Sequence, residues 1–165
     1  MPFDSDSFKD RDSYPDNNDS LKCNTGKSII HLLIPKASVA LLDAHCTLRQ
    51  GLEKMRFHGY SAIPVIEKDG TYVGTVSEGD FLWHILVNET YAMKSQENYF
   101  ISDILRSKWN LAVKIDATMD ELLLRIMDQN FVPVIDDREK FIGIITRKDV
   151  IKYHYDLLKD GKQKD

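Results

Sequence analysis

Cysteine is scarce in this sequence, and long hydrophobic runs are absent. The two cysteines, Cys23 and Cys46, can form at most one bridge, which is no disulfide framework. This usage is typical of a reducing compartment, so we expect a cytoplasmic protein with free thiols. The densest apolar run, residues 29–34, has six residues, whereas a membrane-spanning helix needs about 20. The N-terminus is acidic and polar, unlike a secretory signal, and we expect no membrane association.

The sequence also lacks the patterns that carry catalysis. It contains no P-loop and no Gly-x-Gly-x-x-Gly, and its paired carboxylates are surface runs such as Asp136-Asp137. Cys46 has no base partner, because the side chain of the adjacent His45 diverges from it in most conformations. The five histidines show no paired spacing suited to a metal, at His31, His45, His58, His84 and His154. We therefore expect no enzyme, no metal site and no resident cofactor.

A basic surface is missing as well. The net charge of −4 at pH 7 disfavours nonspecific nucleic-acid binding, although it leaves room for a local cationic site. The hydrophobic content of 42% and the charged content of 29% are those of an ordinary soluble globular protein. The chain of 165 residues is long enough for one compact domain or for two small halves that share a core.

What the sequence does contain is an internal repeat. Residues 1–26 are polar and cannot bury enough surface to offset their ordering entropy, so we expect a disordered tail there. Beyond it the chain matches itself at a shift of 69 residues, which predicts repeats at 27–92 and 93–158 and a short tail at 159–165. The matching pairs include Pro64 with Pro133, Val65 with Val134, Ile66 with Ile135, Gly74 with Gly143, Ser77 with Thr146 and Asp80 with Asp149.

Each repeat predicts the order helix, strand, strand, helix. Thr47 and Thr118 each open a capping box, in which the hydroxyl accepts a free N–H of the first helical turn. Gly59 and Asn130 stand where a left-handed helix end is expected. The first strands are predicted at Ala62–Ile66 and Val132–Ile135, the second helices at 80–88 and 148–158, and short lead-in helices at 28–34 and 101–105.

The second strand of each repeat runs straight into a helix and forms a strand-to-helix corner. The hydroxyl and the carboxylate three residues apart, Ser77 with Asp80 and Thr146 with Asp149, have a purely structural explanation as a helix cap. The second corner adds Arg147 and Lys148. A cation in the first turn of a helix costs about 0.3–1 kcal/mol, so helix formation does not explain this pair. Either the two cations bind an anion, or they turn outward and are solvated, or they pair with the acidic residues at 136, 137 and 139.

These features resemble a tandem pair of CBS domains, known as a Bateman module. The resemblance rests on two copies of a helix followed by a Pro-Val strand, each closed by Gly-apolar-x-(Ser/Thr)-x-x-Asp, and it covers residues 28–158. It implies an α/β (α+β) fold of two β-α-β-β-α repeats packed sheet to sheet, with clefts that bind adenine nucleotides. It also implies a homodimer formed through the helices. In this pattern the carboxylate at Asp149 holds a ribose diol.

A narrower resemblance is to bacterial stand-alone CBS proteins that bind cyclic di-AMP. It rests on residues 59–64, on the shortened 130–133 and on Thr146-Arg147-Lys148. It implies that small residues and backbone groups hold adenine, that the two cations hold phosphates, and that a separate effector protein reads the bound state. Two positions depart from the group's pattern, because Ser38 stands where a Lys is expected and Lys148 stands in place of an Arg. The residues implicated in nucleotide binding are Ser38, Ala40, Ser61, Ala62, Ile63, Phe131, Val132, Thr146, Arg147, Lys148 and Asp149.

Three functions therefore stay open at this point. The first is a nucleotide sensor, with cyclic di-AMP as the first candidate ligand and AMP, ADP or ATP as the second. The next is a dimerisation module whose clefts hold no ligand, in which Ser61 and Ala62 are merely a tight strand start. The third is an enzyme acting on a nucleotide, for which the sequence supplies no acid, base or metal constellation.

Overall fold

The computed structural model describes residues 28–106 and 108–162, so the tail predicted at 1–26 lies outside the described residues. The described chain is a mixed α/β fold with two sheets. It begins with a 3-10 helix over Ile29–Leu32 and a two-residue strand β1, Ile34–Pro35. The lead-in helix predicted at 28–34 is therefore wrong at its end, because Ile34 and Pro35 pair with a distant strand instead of continuing the helix. A second 3-10 turn, Lys36–Ser38, follows directly.

The first repeat follows the predicted order, with a short strand before it. β2 spans Leu42–Asp43, α1 spans Leu48–His58, β3 spans Ala62–Ile66, β4 spans Tyr72–Ser77 and α2 spans Glu78–Asn88. β2 runs parallel to β3, and β3 runs antiparallel to β4, which gives a three-stranded sheet. The capping box at the start of α1 is confirmed, and so is the left-handed glycine at its end, with φ of 66°.

The second repeat has the same elements in the same order. β5 spans Val113–Lys114, α3 spans Met119–Asp128, β6 spans Phe131–Ile135, β7 spans Phe141–Thr146 and α4 spans Arg147–Lys162. The sheet order is β1-β7-β6-β5, with β1 antiparallel to β7. The capping box that opens α3 is confirmed. α4 runs four residues past the predicted end, so part of the tail predicted at 159–165 is helical.

The end of α3 departs from the prediction. The last turn closes on Gln129, whose backbone is extended, with φ of −117° and ψ of 140°. Asn130 is not among the residues with positive φ, so the expected left-handed end is wrong. The chain passes straight into β6 at Phe131, and the carbonyls at the end of α3 are satisfied by a side chain from another element, described below.

The segments that precede the two repeats are exchanged between the halves. Ile29 is fully buried in the core of the second repeat, beside Leu122 and Ile145. Ile101, from the 3-10 helix Ile101–Ile104 that precedes the second repeat, is fully buried in the core of the first. Each core is thus completed by residues that are distant in sequence, which joins the two repeats into one folded unit.

The hairpin turns of the two repeats also pair with each other. Thr71 and Lys140 form an antiparallel bridge, and the Phe141 N–H donates to the Gly70 carbonyl at 3.0 Å. Lys140 Nζ lies 2.6 Å from Asp69 Oδ2. The Lys140 ammonium holds the pKa of the Asp69 carboxyl well below its usual range. The junction opposite the strand-to-helix corners is therefore fixed by both backbone and charge.

A closed ring of hydrogen bonds ties β4 to the segment that enters the second repeat. The Tyr72 hydroxyl donates to the Asn110 carbonyl at 2.8 Å and lies 2.9 Å from Thr75 Oγ1. Asn110 Nδ2 donates back to Thr75 Oγ1 at 2.8 Å. Thr75 and Asn110 are 1% and 7% exposed. Because these groups have little access to water, losing one partner leaves a buried polar atom unpaired.

Replacing Tyr72 by phenylalanine is expected to lower the free energy of unfolding by about 1–2 kcal/mol near neutral pH, because two hydrogen bonds are lost. Burial raises the pKa of Tyr72 to about 12, from an ordinary value of 10.0. The folded state therefore favours the neutral phenol, and this contribution is complete below about pH 10 and is lost as the pH rises toward about 12.

Urea denaturation of the wild type and of Tyr72→Phe, at about pH 8 and about pH 11, measures both effects. We expect the variant to lose less stability than the wild type between the two pH values. Tyr91→Phe is the matched control, since Tyr91 is 70% exposed. An equal alkaline loss in the wild type and in Tyr72→Phe contradicts the assignment.

Candidate functional site

The corner of the second repeat is built as a helix cap. The Asp149 N–H donates to Thr146 Oγ1 at 3.2 Å, and the Thr146 hydroxyl donates to Asp149 Oδ2 at 2.5 Å. The structural role that the spacing predicts is therefore present. Across the described residues, no cation lies within ion-pairing distance of Asp149, and no group donates to its Oδ1. This partly exposed carboxylate keeps its charge and an unused acceptor oxygen.

Arg147 begins α4 but makes its contacts with another helix. Its Nε donates to the carbonyls of Ile126 and Gln129, at 2.9 and 3.1 Å, and its Nη2 donates to that of Met127 at 3.2 Å. These carbonyls stand at the C-terminal end of α3, where no backbone N–H follows to pair with them. The guanidinium thus caps α3. From the sequence we predicted that Arg147 binds an anion, is solvated or pairs with an acidic residue. Capping of α3 by its guanidinium was not predicted.

The guanidinium keeps donors for a further partner. Of its five N–H groups, Nε and one on Nη2 are used, and no described residue accepts from Nη1 of Arg147. Lys148, the next residue, is exposed and forms no ion pair with any described residue. Two cations and one carboxylate therefore meet at the start of α4, with a net charge of +1 from these three side chains.

The corner of the first repeat is filled by an arginine. Asp80 Oδ2 accepts from the N–H and the hydroxyl of Ser77, at 2.8 and 2.7 Å. Arg106 Nε lies 2.7 Å from Asp80 Oδ1, and its Nη2 lies 3.4 Å from Oδ2. The Arg106 guanidinium carbon also lies 3.7 Å from the centroid of the Trp109 ring. Asp80 is 8% exposed, so this carboxylate is buried and already paired.

The remaining predicted residues lie on three different elements. Ser38 ends the 3-10 turn that packs against β7, and Ala40 packs against the core of the first repeat, so this segment passes from the sheet of the second repeat to the first repeat. The Ser61 carbonyl accepts from the Glu78 N–H, and Ala62 pairs with Ser77, which sets both beside the first corner.

The other members of the predicted set lie in β3 and β6. Phe131 pairs with Thr146, beside the second corner, and Val132 pairs with Ile145. The side chains of Ile63 and Val132 are fully buried in the two cores. A ligand can therefore meet these two residues only through their backbone. Backbone pairing brings Phe131 to Thr146, Arg147, Lys148 and Asp149, whereas residues 61–63 pair next to Ser77.

Sequence reasoning missed Arg106. A buried carboxylate in a helix's first turn needs a cation, and Arg106 is the cation that directly follows the predicted lead-in at 101–105. The position of Arg106 directly after this lead-in segment was the sequence signal that could have identified it as the partner of Asp80. What it could not reveal is that this lead-in packs on the first repeat rather than on the repeat it precedes.

A separate groove lies between β5 and α3, and no residue of either corner lines it. Its volume is about 580 Å³. No residue of the predicted nucleotide-binding set lines it. Its lining residues are Ala112, Val113, Lys114, Asp116, Ala117, Glu121, Leu124 and Arg125.

Neither metal chemistry nor thiol chemistry has support in the described ranges. No three potential metal ligands cluster there. Burial raises the pKa of the Cys46 thiol, so it stays protonated near neutral pH and is a poor nucleophile. Within the same ranges, no helix has both the length and the hydropathy of a membrane span.

Comparison with known proteins gives two solved structures that closely resemble this fold. A crystal structure of CbpB in complex with cyclic di-AMP is 29% identical, with a TM-score of 0.76, and the match covers 84% of this chain and 91% of that one. A crystal structure of CbpB from Streptococcus agalactiae is 30% identical, with a TM-score of 0.72, over 82% of this chain and 84% of that one.

A curated relative and a family model extend the comparison. An uncharacterised protein of Methanopyrus kandleri is 25% identical over 101 residues, which are 60% of this chain and 49% of that protein. The matched part thus spans about half the length of this relative. The family model of the CBS domain matches residues 33–87 and 101–156, one match for each repeat. The chain belongs to the CBS-domain family, as a tandem pair of repeats.

Proposed function

We propose that this protein is a non-catalytic regulatory protein that binds an adenine nucleotide at the second corner, with cyclic di-AMP as the first candidate. One observation carries the proposal: Arg147, Lys148 and Asp149 meet there, and no described residue neutralises the carboxylate or Lys148. The likeness to CbpB, which has been crystallised with cyclic di-AMP, supports this choice of ligand.

The chemistry of the corner suits each part of such a ligand. The Lys148 side chain, Nη1 of Arg147 and the Lys148 backbone N–H can hold phosphate oxygens, whereas the N–H groups of Arg147 and Asp149 already donate to Asn130 and Thr146. The Oδ1 atom of Asp149 can accept from the ribose 2′-hydroxyl, which is the free hydroxyl of each ribose in cyclic di-AMP. The base would lie against Phe131, beside the second corner, and would reach small residues and backbone of the first repeat at Ser38, Ala40, Ser61 and Ala62 without contacting Asp80. AMP, ADP or ATP carries a terminal phosphate and a free 2′,3′-diol, which the same cations and carboxylate can hold, and these nucleotides are the second candidates.

Exposed apolar side chains on α2 and α4 support a homodimer. Trp83 and Val87 on α2 are 64% and 79% exposed, and Ile151 and Tyr155 on α4 are 61% and 55% exposed. Such a patch loses contact with water when a second copy covers it. We propose that two copies pair through these helices, and that a separate effector protein distinguishes the bound from the free form. The difference in effector affinity would be about 1–3 kcal/mol.

Isothermal titration with cyclic di-AMP, AMP and ATP tests the proposal. We expect cyclic di-AMP to bind with a Kd well below about 100 μM. Arg49→Ala is the control for the Arg147→Ala variant discussed below. Arg49 is also an arginine at the surface, but it pairs with Glu53 and Glu97 on the α1 side of the first repeat. If all three nucleotides bind more weakly than about 100 μM, the protein is not a nucleotide sensor of this kind.

A ligand-free dimerisation module is the second candidate, favoured by the same exposed helices. A thermal shift with a nucleotide panel separates the two functions, because a ligand that binds only the folded state raises the Tm. A dimer in size-exclusion chromatography whose Tm no nucleotide changes would favour the scaffold.

A further inference from the structure

The two corners have the same framework but opposite electrostatics. Both have a hydroxyl and a carboxylate at the start of a helix. The first corner carries Glu78, Asp80 and Arg106, for a net charge of −1. The second carries Arg147, Lys148 and Asp149, for a net charge of +1. A phosphate is repelled by the first set and attracted by the second.

Arg106 is the residue that separates the two corners. It engages both oxygens of Asp80 and also reaches Ser77 Oγ at 3.4 Å. Asp80 therefore has no free oxygen for a ribose diol. A nucleotide entering this corner has to displace a charge-assisted, forked pair whose carboxylate is buried and whose arginine side chain is 48% exposed. Trp109, stacked on the guanidinium, holds Arg106 in this position.

Among the described residues, no cation pairs with Asp149 of the second corner as Arg106 pairs with Asp80. Ahead of the first helix of each repeat, the two copies align at a shift of 71 residues rather than 69. This alignment pairs Thr118 with Thr47 and Arg106 with Pro35. Proline carries no side-chain donor, and Pro35 pairs with Gly143 in β1. Oδ1 of Asp149 therefore has no donor among the described residues, whereas Oδ1 of Asp80 is paired with Arg106. The different pairing of the two carboxylates thus follows from a single position in the two lead-in segments, Arg106 against Pro35.

We propose that Arg106 is a specificity-determining residue that closes the first corner to nucleotides, so that each chain binds one nucleotide although it carries two repeats. This inference rests on the proposed nucleotide binding. It predicts that removing the guanidinium frees the Asp80 carboxylate and opens a second site, which is weaker because no pair of cations stands beside it.

Titration of the wild type and of Arg106→Gln with AMP and with cyclic di-AMP tests this proposal. The glutamine keeps a hydrogen-bond donor for Asp80 but removes the charge and the fork. We expect one nucleotide per chain in the wild type and a number that rises toward two in the variant. Arg49→Gln is the matched control and should leave the stoichiometry at one. Thermal melts check that each variant is folded.

The outcomes separate this inference from the proposed function. Two nucleotides per wild-type chain, or one per chain in both proteins, overturns the role of Arg106 and leaves nucleotide binding intact. Binding to Arg106→Gln alone supports the role of Arg106 and removes the second corner as the site. No binding to either protein overturns both. If Arg106→Gln does not fold, Arg147→Ala and Lys148→Ala decide together: full-strength binding in both variants shows that the first corner is open, and weakened binding in both shows that the wild type uses the second corner with the first closed.

Discussion

Replacing Gly143 by alanine is expected to lower the free energy of unfolding by about 3 kcal/mol or more. An added Cβ would lie 2.2 Å from the Ile34 carbonyl oxygen and 2.8 Å from Leu33 Cδ1. The oxygen belongs to β1, which pairs with β7 at this glycine. A backbone atom cannot rotate away as a side chain can, so either β1 leaves the sheet or β7 bends.

The damage extends beyond the sheet edge. β1 follows directly on Ile29–Leu32, and Ile29 fills the core of the second repeat. The turn Lys36–Ser38, which packs against β7, follows directly after β1. A displaced β1 therefore loosens the second core, and a bend in β7 shifts Thr146, which stands at the second corner three residues after Gly143. We expect Gly143→Ala to weaken nucleotide binding as well as stability.

Urea denaturation measures the loss, with Gly79→Ala as the matched control. A Cβ at Gly79 meets only ordinary contacts, with Ser77 Oγ at 3.6 Å as the nearest atom. Gly79 lies in the first turn of α2, so alanine there should be neutral or stabilising by up to about 1 kcal/mol. A loss below about 1 kcal/mol for Gly143→Ala would mean that the lead-in strand is not held against β7 as described.

Local sequence signals predicted the elements well because those elements are stabilised locally. The threonines that open α1 and α3 and the glycine that ends α1 act through neighbours within a few residues. The repeat predicted that each strand-to-helix corner would occur twice. The order of elements within each repeat is therefore readable from the sequence alone.

The predictions that are wrong concern segments whose conformation is fixed by residues distant in the sequence. Ile34 and Pro35 form a strand because the edge of β7 is available to them, and that edge lies more than 100 residues away in the sequence. Proline is tolerated there because an edge strand leaves one row of N–H positions unpaired. The exchange of lead-in segments between the two cores is non-local in the same sense, and no periodicity in the sequence reports it.

The end of α3 shows how a missing local cap is replaced from outside. α1 ends on Gly59, where the Gly59 and Tyr60 N–H groups satisfy the carbonyls of Arg56 and Met55. α3 has no glycine at its end, and the Arg147 guanidinium satisfies its last carbonyls instead. Asn130 consequently needs no left-handed backbone. The sequence drew attention to Arg147 for its charge, but only the fold reveals that it also ends a helix.

This double role gives the most informative pair of substitutions at the proposed site. Arg147→Ala is expected to weaken the binding of cyclic di-AMP by about 10–150-fold. This factor is equivalent to the loss of about 1.5–3 kcal/mol for a hydrogen bond to a charged group. The variant should also lower the free energy of unfolding by about 1–3 kcal/mol, because carbonyls of Ile126, Met127 and Gln129 lose their donors.

Lys148→Ala separates ligand binding from helix capping. Lys148 is exposed and stands in the first turn of α4, where a cation opposes the helix dipole. Removing the Lys148 side chain should weaken the binding of cyclic di-AMP. The free energy of unfolding should stay unchanged or rise by up to about 1 kcal/mol. Titration calorimetry and urea denaturation on the same preparations measure both quantities.

The two variants together distinguish a phosphate site from a purely structural arginine. Loss of affinity in both variants, with loss of stability only in Arg147→Ala, is the expected result. If Arg147→Ala loses stability but keeps its affinity, the arginine is a helix cap alone, and the phosphates bind elsewhere. If Lys148→Ala also keeps its affinity, the excess positive charge of the second corner has no part in binding, and the electrostatic difference between the two corners no longer accounts for ligand preference.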